Sequence, residues 1–169
     1  ELAMARAAAA AGTVMSLSTL ATRRPAEVAA AAPGARQWFQ LYCFRDRAVT
    51  DALVAEAVDS GFEAIVVTAD APPGGNRERD LRTGFAIPEE TPVPSVEAAL
   101  GTDRAVTVAE TFGLMDPALD WDRVGRLADE SPLPVLIKGV LTAEDALLAL
   151  EHGLAGVIVS NHGGRQLDR

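Results

Sequence analysis

The chain has very few residues of the kinds that bind metals or form disulfides. Its 169 residues include one cysteine and two histidines. An internal disulfide needs a second cysteine, and a structural zinc site needs more Cys and His ligands than these, so we predict neither. The one cysteine, Cys43, follows an apolar segment, and we interpret it as a small core residue rather than a nucleophile.

Basic charge is also scarce, and no segment is apolar for long enough to cross a bilayer. Lys and Arg total 15 against 24 Asp and Glu, for a formal net charge of -9. A surface of this sign disfavours nucleic acids and anionic membranes, so we expect neither as a partner. Charges interrupt the first six residues, which is not the pattern of a signal peptide, and we expect a cytoplasmic location.

What the chain does have is a series of short apolar segments that alternate with helical patterns. Hydrophobic residues make up 49% of the sequence, enough for one domain over residues 1–169. We predict strands at Val14–Ser18, Trp38–Tyr42, Ala64–Thr68, Pro134–Gly139 and Gly156–Ser160. We predict helices at Ala3–Ala11, Pro25–Ala32, Ala48–Ser60, Trp121–Glu130 and Thr142–Glu151. Since every connection between strands contains a helix, the strands must pair in parallel.

One long connection interrupts this order. Residues 74–120 are polar, acidic and rich in proline, with weak helical patterns near Ser95–Leu100 and Ala105–Thr111. Connections of this length are often functional loops that cover a site. We therefore predict a lid-like insertion here.

Polar side chains follow every predicted strand. They are Ser18, Gln40 with Tyr42, Thr68 with Asp70, Lys138, and Ser160 with His162. A doubly wound sheet would instead have a glycine-rich phosphate loop, and no G-x-G-x-x-G pattern occurs. Active-site residues at each strand end are typical of a (β/α)8 TIM barrel, which is the α/β fold we predict. Because five strands are fewer than that barrel contains, and both ends of the chain are abrupt, we interpret the sequence as a fragment.

The last strand leads into a segment of unusual composition, Ser160-Asn161-His162-Gly163-Gly164-Arg165-Gln166-Leu167-Asp168. A histidine held at a strand end, beside glycines that let a ligand approach the backbone, suits acid–base chemistry. Taken alone, the same residues also fit a solvated glycine-rich turn. Lys138 argues for the first interpretation, because an ammonium directly after three apolar residues needs an anionic or electron-rich partner.

Five motifs taken together resemble a known family. In order they are Trp38-Phe39-Gln40-Leu41-Tyr42, Thr68-Ala69-Asp70-Ala71-Pro72, Arg77-Glu78-Arg79-Asp80-Leu81-Arg82, Leu136-Ile137-Lys138-Gly139 and the Ser160–Asp168 segment. This set resembles the FMN-dependent 2-hydroxy acid oxidases and dehydrogenases, which include glycolate oxidase, lactate oxidase, mandelate dehydrogenase and the flavin domain of flavocytochrome b2. Two departures are Ala69, where valine is frequent, and Asn76, where arginine is frequent.

The resemblance implies a (β/α)8 barrel with FMN at the carboxyl ends of its strands. It places six residues at the cofactor, namely Ser18, Gln40, Tyr42, Thr68, Lys138 and Ser160. It places four at the substrate, namely Tyr42, Arg77, His162 and Arg165. His162 matches the catalytic base and Asp70 its carboxylate partner, with Lys138 and Tyr42 assisting. It also implies a homotetramer, and oxygen or another acceptor to reoxidise the flavin.

The residue types suit these implied roles. A guanidinium binds a carboxylate through two parallel hydrogen bonds, which makes Arg165 the better clamp and Arg77 a second positive charge. His162 could take the hydroxyl proton during hydride transfer or the alpha proton to leave a carbanion, and the sequence keeps both routes open. Lys138 would offset negative charge on the reduced flavin.

Two alternatives remain at this stage. The 169 residues by themselves could be a partial barrel that does not hold FMN, because the family's phosphate-binding motifs are not among them. The chain could also belong to another FMN barrel, such as type 2 isopentenyl diphosphate isomerase. The second is disfavoured because the pair His162 and Arg165 suits a carboxylate substrate.

Overall fold

A five-stranded parallel sheet forms the centre of the molecule in a computed structural model that describes residues 1–71, 75 and 77–166. The strands are β1 Met15–Ser18, β2 Gln37–Leu41, β3 Ala64–Thr68, β4 Val135–Val140 and β5 Gly156–Val159. They pair in the order β1-β2-β3-β4-β5, and every pair is parallel, as predicted. Each strand is added beside the one before it, whereas a doubly wound sheet reverses direction at a switch point. The topology is therefore that of five consecutive βα units of a TIM barrel.

Helices fill the connections between the strands. They are α1 Leu2–Ala10, α2 Pro25–Ala31, α3 Arg47–Asp59, α4 Glu78–Thr83, α5 Pro94–Ala99, α6 Val108–Leu114, α7 Trp121–Glu130 and α8 Ala143–Glu151. Asp46, Asp120 and Thr142 begin α3, α7 and α8, and each side-chain oxygen accepts a hydrogen bond from a backbone N–H of the first turn. Caps of this kind stabilise a helix by about 1 kcal/mol each. None of the helices in the described ranges is long and apolar enough to span a bilayer.

The core lies between the sheet and its helices. All five residues of β3 are buried, which agrees with its unbroken apolar sequence and with a strand covered on both faces. In β2 the burial alternates, so that Phe39 points inward and contacts Phe62 edge-to-face with ring centroids 6.1 Å apart. Leu53 of α3 is fully buried in the same cluster.

The second half of the insertion packs into this core. Val93, Val96 and Val106 are buried, and Phe44 pairs with Met115 in an isolated antiparallel bridge. By contrast, Leu81 and Phe85 are 75% and 62% exposed. The lid-like role of the insertion stays a prediction. Among the described residues, the exposed region around α4 suits that role better than the region after Val93, which is part of the core.

Cys43 is a core residue, as its sequence context predicted. It is buried, and this burial raises the pKa of its thiol to about 11, with the nearby Arg123 opposing the shift. A thiol that stays protonated at neutral pH is a poor nucleophile.

This pKa predicts a pH dependence of stability. Between pH 9 and 11 the unfolded chain loses the Cys43 proton while the folded chain keeps it, so raising the pH favours unfolding. We expect the wild type to lose about 2–3 kcal/mol more unfolding free energy over this range than Cys43→Ala does. Urea unfolding of both proteins at several pH values measures the difference. Parallel pH profiles would contradict the assignment.

Candidate active site

The carboxyl ends of the first three strands carry a row of hydrogen-bonded polar side chains. The strand register places Ser18 opposite Gln40. The Ser18 hydroxyl donates to Gln40 Oε1 at 3.1 Å, and Gln40 Nε2 donates to Thr68 Oγ1 at 3.0 Å. The structure therefore brings three of the predicted cofactor residues together, because parallel strands end at the same edge of a sheet.

A charged cluster lies beside this row. Asp70 follows β3, Lys138 lies in β4 and His162 follows β5. Asp70 Oδ1 lies 3.0 Å from His162 Nδ1 and 3.2 Å from Lys138 Nζ, while the same lysine nitrogen lies 3.2 Å from His162 Nδ1. The side chains are sheltered, with 10% of Asp70 and 23% of His162 and Lys138 exposed. Asp70, Lys138 and His162 come from three different parts of the sequence, and the structure brings them together; the sequence had indicated the pairing of Asp70 with His162 but not the contact of Lys138 with Asp70.

The geometry of this cluster favours one form of the imidazole. Nδ1 of a neutral histidine holds either a hydrogen or a lone pair, and so it makes a hydrogen bond of one kind only. The negative charge of Asp70 favours a hydrogen on Nδ1, while Lys138, which can only donate, donates to Asp70. The lone pair then lies on Nε2. A histidine in this form is ready to accept a proton.

The backbone around His162 is itself unusual. His162 has a positive φ of 58°, and Gly163 and Gly164 follow in the same left-handed region. This conformation costs a non-glycine residue about 1–2 kcal/mol. The Ser160 hydroxyl accepts a hydrogen bond from the His162 backbone N–H at 3.0 Å and so stabilises the turn. The structure thus gives Ser160 a role at His162, while its contact with FMN stays a prediction.

A bulge in β4 makes room for Asp70. The pairing of β4 with β5 shifts between Lys138 and Val140, and Gly139 at the shift has a φ of 107°. A Cβ atom on Gly139 would lie 2.5 Å from the Asp70 Cβ and 2.8 Å from its backbone nitrogen. This role of Gly139 was not predicted from the sequence, although a glycine next to the strand-end lysine is the kind of signal that marks a close approach.

Tyr42 is buried at the end of β2. Its ring packs against Phe112 of α6, with centroids 6.1 Å apart. Burial raises the pKa of the phenol, the negative charge of Asp70 raises it further, and Arg77 opposes the shift. The hydroxyl is therefore protonated at neutral pH and can donate a hydrogen bond. Phe112 lies in the polar insertion, where the sequence gives no signal of a contact with Tyr42.

The two predicted substrate arginines lie on the segments that follow β3 and β5. Arg165 Nη2 donates to Asp80 Oδ2 at 3.1 Å, and half of the Arg165 side chain is exposed. Arg77, directly before α4, lines an open groove that Asp80 also lines. Arg165 is thus hydrogen-bonded to Asp80, while Arg77 lines the same groove as Asp80 and its charge also reaches Tyr42. Asn76, Leu167 and Asp168 lie outside the described residues.

The side chains at this edge suit an organic cofactor better than a metal ion. Among the described residues, no group of three or more His, Cys, Asp and Glu side chains is arranged to hold a metal. The row from Ser18 to Thr68 offers hydroxyl and amide groups, and Lys138 adds an ammonium. Such donors fit the edge of a flavin ring, which carries carbonyl oxygens and ring nitrogens. The residues present therefore fit FMN.

Comparison with known proteins identifies the family of this chain. The family model of FMN-dependent dehydrogenases matches residues 1–169. Glycolate oxidase 3 of Arabidopsis thaliana is 46% identical, over 99% of this chain and 47% of its own length. Glycolate oxidase of Spinacia oleracea is 47% identical, with the same two shares. The chain thus spans about half the length of the curated relatives it matches.

Solved structures of similar proteins show the same arrangement of the chain. A putative lactate oxidase of Pediococcus acidilactici superposes with a TM-score of 0.87 at 36% identity, over 99% of this chain and 44% of that one. Mandelate oxidase with (S)-4-hydroxymandelic acid superposes with a TM-score of 0.85 at 42% identity, over 99% and 48%. With a family model that matches from end to end, the chain belongs to the FMN-dependent dehydrogenases, the family of the 2-hydroxy acid oxidases.

Proposed function

We propose that the protein carrying this chain oxidises a small (S)-2-hydroxy acid to the 2-oxo acid with FMN as its redox cofactor. The observation that carries the proposal is the 3.0 Å contact between His162 Nδ1 and Asp70 Oδ1, beside strand ends whose donors fit a flavin. Glycolate, lactate and mandelate oxidases among the similar proteins support this class of substrate.

His162 acts as the base in this proposal. Its Nε2 takes a proton from the substrate, and the imidazolium that forms is stabilised by Asp70 at Nδ1. FMN, when bound, supplies the two-electron acceptor. The positive charge of Lys138 lies 3.2 Å from the Asp70 carboxylate, so it moderates the negative charge of the cluster and supplies an ammonium to the cofactor side.

The remaining residues hold the substrate. Arg165 binds its carboxylate through the guanidinium, and Arg77 adds positive charge from the groove that Asp80, the hydrogen-bond partner of Arg165, also lines. The protonated Tyr42 hydroxyl donates a hydrogen bond to the substrate carboxylate or hydroxyl. Oxygen or another acceptor is proposed to reoxidise the flavin, since the similar proteins include both oxidases and a mandelate dehydrogenase. A homotetramer, a cytoplasmic location and the failure of the isolated 169 residues to hold FMN stay predictions.

Anaerobic reduction tests the proposed function. We expect the protein that carries this chain to purify yellow, and glycolate, L-lactate or (S)-mandelate to bleach its visible flavin absorbance in the absence of oxygen. The matching unsubstituted acids, such as acetate or propionate, are the control, because they bind the same arginine without an oxidisable hydroxyl. A colourless protein, or a yellow one that none of these hydroxy acids bleaches, would contradict the proposal.

A further inference from the structure

The guanidinium that is proposed to bind substrate has a partner within the chain. Asp80, in the first turn of α4, accepts a hydrogen bond from Arg165 Nη2 at 3.1 Å. Asp80 is the more sheltered of the two, with 23% of its side chain exposed against 50% for Arg165. Asp80 lies in the segment after β3 and Arg165 in the segment after β5. The pair therefore joins the two segments that flank the end of β4.

We propose that Asp80 is a positioning residue, which orients the Arg165 guanidinium toward the substrate carboxylate. The inference rests on the proposed function, in which Arg165 is the clamp. A guanidinium is planar and has five N–H donors. Only its Nη2 nitrogen donates to Asp80, which leaves the donors on the other two nitrogens for another partner. An edge held by Asp80 fixes the plane of the guanidinium, and the other donors face the incoming carboxylate in a set direction.

The segment that carries Arg165 also packs against Gly75, which follows β3. The Gly75 N–H donates to Gln166 Oε1 at 3.1 Å. A Cβ atom on Gly75 would lie 2.1 Å from the Arg165 carbonyl oxygen, which shows how closely these two segments pack. The segment after β3 therefore contacts Arg165 both at its backbone, through Gly75, and at the end of its side chain, through Asp80.

Energetics favour orientation over stability as the role of this pair. Ion pairs between exposed side chains contribute little to folding stability, and Arg165 is half exposed. By contrast, a displacement of about 1 Å in a group that binds substrate can cost about 100-fold in rate. Loss of Asp80 should therefore change substrate binding much more than it changes unfolding. Arg77 lines the same groove as Asp80, so its positive charge opposes the negative charge that Asp80 brings to that groove.

The test uses Asp80→Asn and Asp80→Glu in the FMN-loaded protein. We expect Asp80→Asn to raise KM for the hydroxy acid by about tenfold, with kcat and thermal unfolding little changed. Oxalate, a dicarboxylate with no hydroxyl to oxidise, should lose affinity by a similar factor in a binding titration. Asp80→Glu keeps the charge and should recover part of the loss. The matched control is Glu78→Gln on the same helix, whose carboxylate pairs with Arg82 at 2.9 Å instead.

A double mutant separates positioning from other effects. In an Arg165→Met background, Asp80→Asn should have no further effect on KM or on oxalate affinity, because the residue acts through Arg165. An unchanged KM in Asp80→Asn overturns the inference, and so does an effect that persists without Arg165. A lower KM also overturns it, since Asp80 would then compete with substrate for the guanidinium. If the wild type itself is not reduced by any hydroxy acid, the proposed function fails instead.

Discussion

Replacement of His162 by glutamine is expected to lower the rate of anaerobic flavin reduction by about 10³- to 10⁴-fold, while the protein keeps its FMN. An amide accepts no proton at neutral pH, so the step that His162 Nε2 performs is lost. The cofactor row of Ser18, Gln40 and Thr68 lies on other strands and does not depend on this side chain. Stopped-flow reduction by saturating substrate measures the rate, and the visible spectrum measures the FMN content.

Glutamine is the suitable replacement because it leaves the backbone cost unchanged. His162 is held at a φ of 58°, and glutamine, which also has a Cβ and is not β-branched, keeps a left-handed strain there as well. Glycine would remove both the imidazole and the strain. A change in the turn could then not be distinguished from loss of the base.

The second histidine provides a matched control. His152 stacks on Trp121 with ring centroids 5.9 Å apart, at the end of α8 and before β5 begins, which is the sheet edge opposite the strand-end cluster. His152→Gln removes an imidazole in the same way and should leave the reduction rate unchanged. If His162→Gln reduces its flavin as fast as His152→Gln does, His162 is not the base.

Much of this site could be predicted from sequence because of a property of parallel sheets. Residues that follow consecutive strands must lie along one edge, so Ser18, Gln40 and Thr68 could be placed together from their positions alone. The contact of Lys138 with Asp70, which the sequence had not indicated, is explained by the register of β3 and β4, because Thr68 pairs with Lys138 there.

Contacts made by loops could not be predicted in this way. No pattern in the sequence predicts the contact between Asp80 and Arg165. The two residues lie on different loops, far apart in sequence, and no strand register fixes how those loops meet. The packing of the insertion was missed for a different reason. Val93, Val96 and Val106 are isolated among polar residues and prolines, so no helical or strand period shows that they are buried.

The close approach of Gly139 to Asp70 was not predicted from the sequence either. Substitution of Gly139 should have the second of the two largest effects on catalysis. We expect Gly139→Ala to lower kcat by at least about 100-fold, because the new methyl group would lie 2.5 Å from Asp70 Cβ and 2.8 Å from its backbone nitrogen. Asp70 must then move, and with it the carboxylate that holds His162 Nδ1. The rate of anaerobic reduction measures the loss, and the FMN content shows whether the site still forms.

The strain of alanine at a positive φ has to be separated from the contact with Asp70. Gly61, which follows α3, has a φ of 80° and has nothing within 4 Å of the Cβ position. Gly61→Ala should therefore lose about 1 kcal/mol of unfolding free energy from backbone strain alone, with kcat unchanged. If Gly139→Ala behaves like Gly61→Ala in both measurements, the close approach of Asp70 to β4 does not position the base. A loss of kcat in Gly139→Ala alone shows instead that the bulge in β4 fixes Asp70, and through it the proton-accepting form of His162.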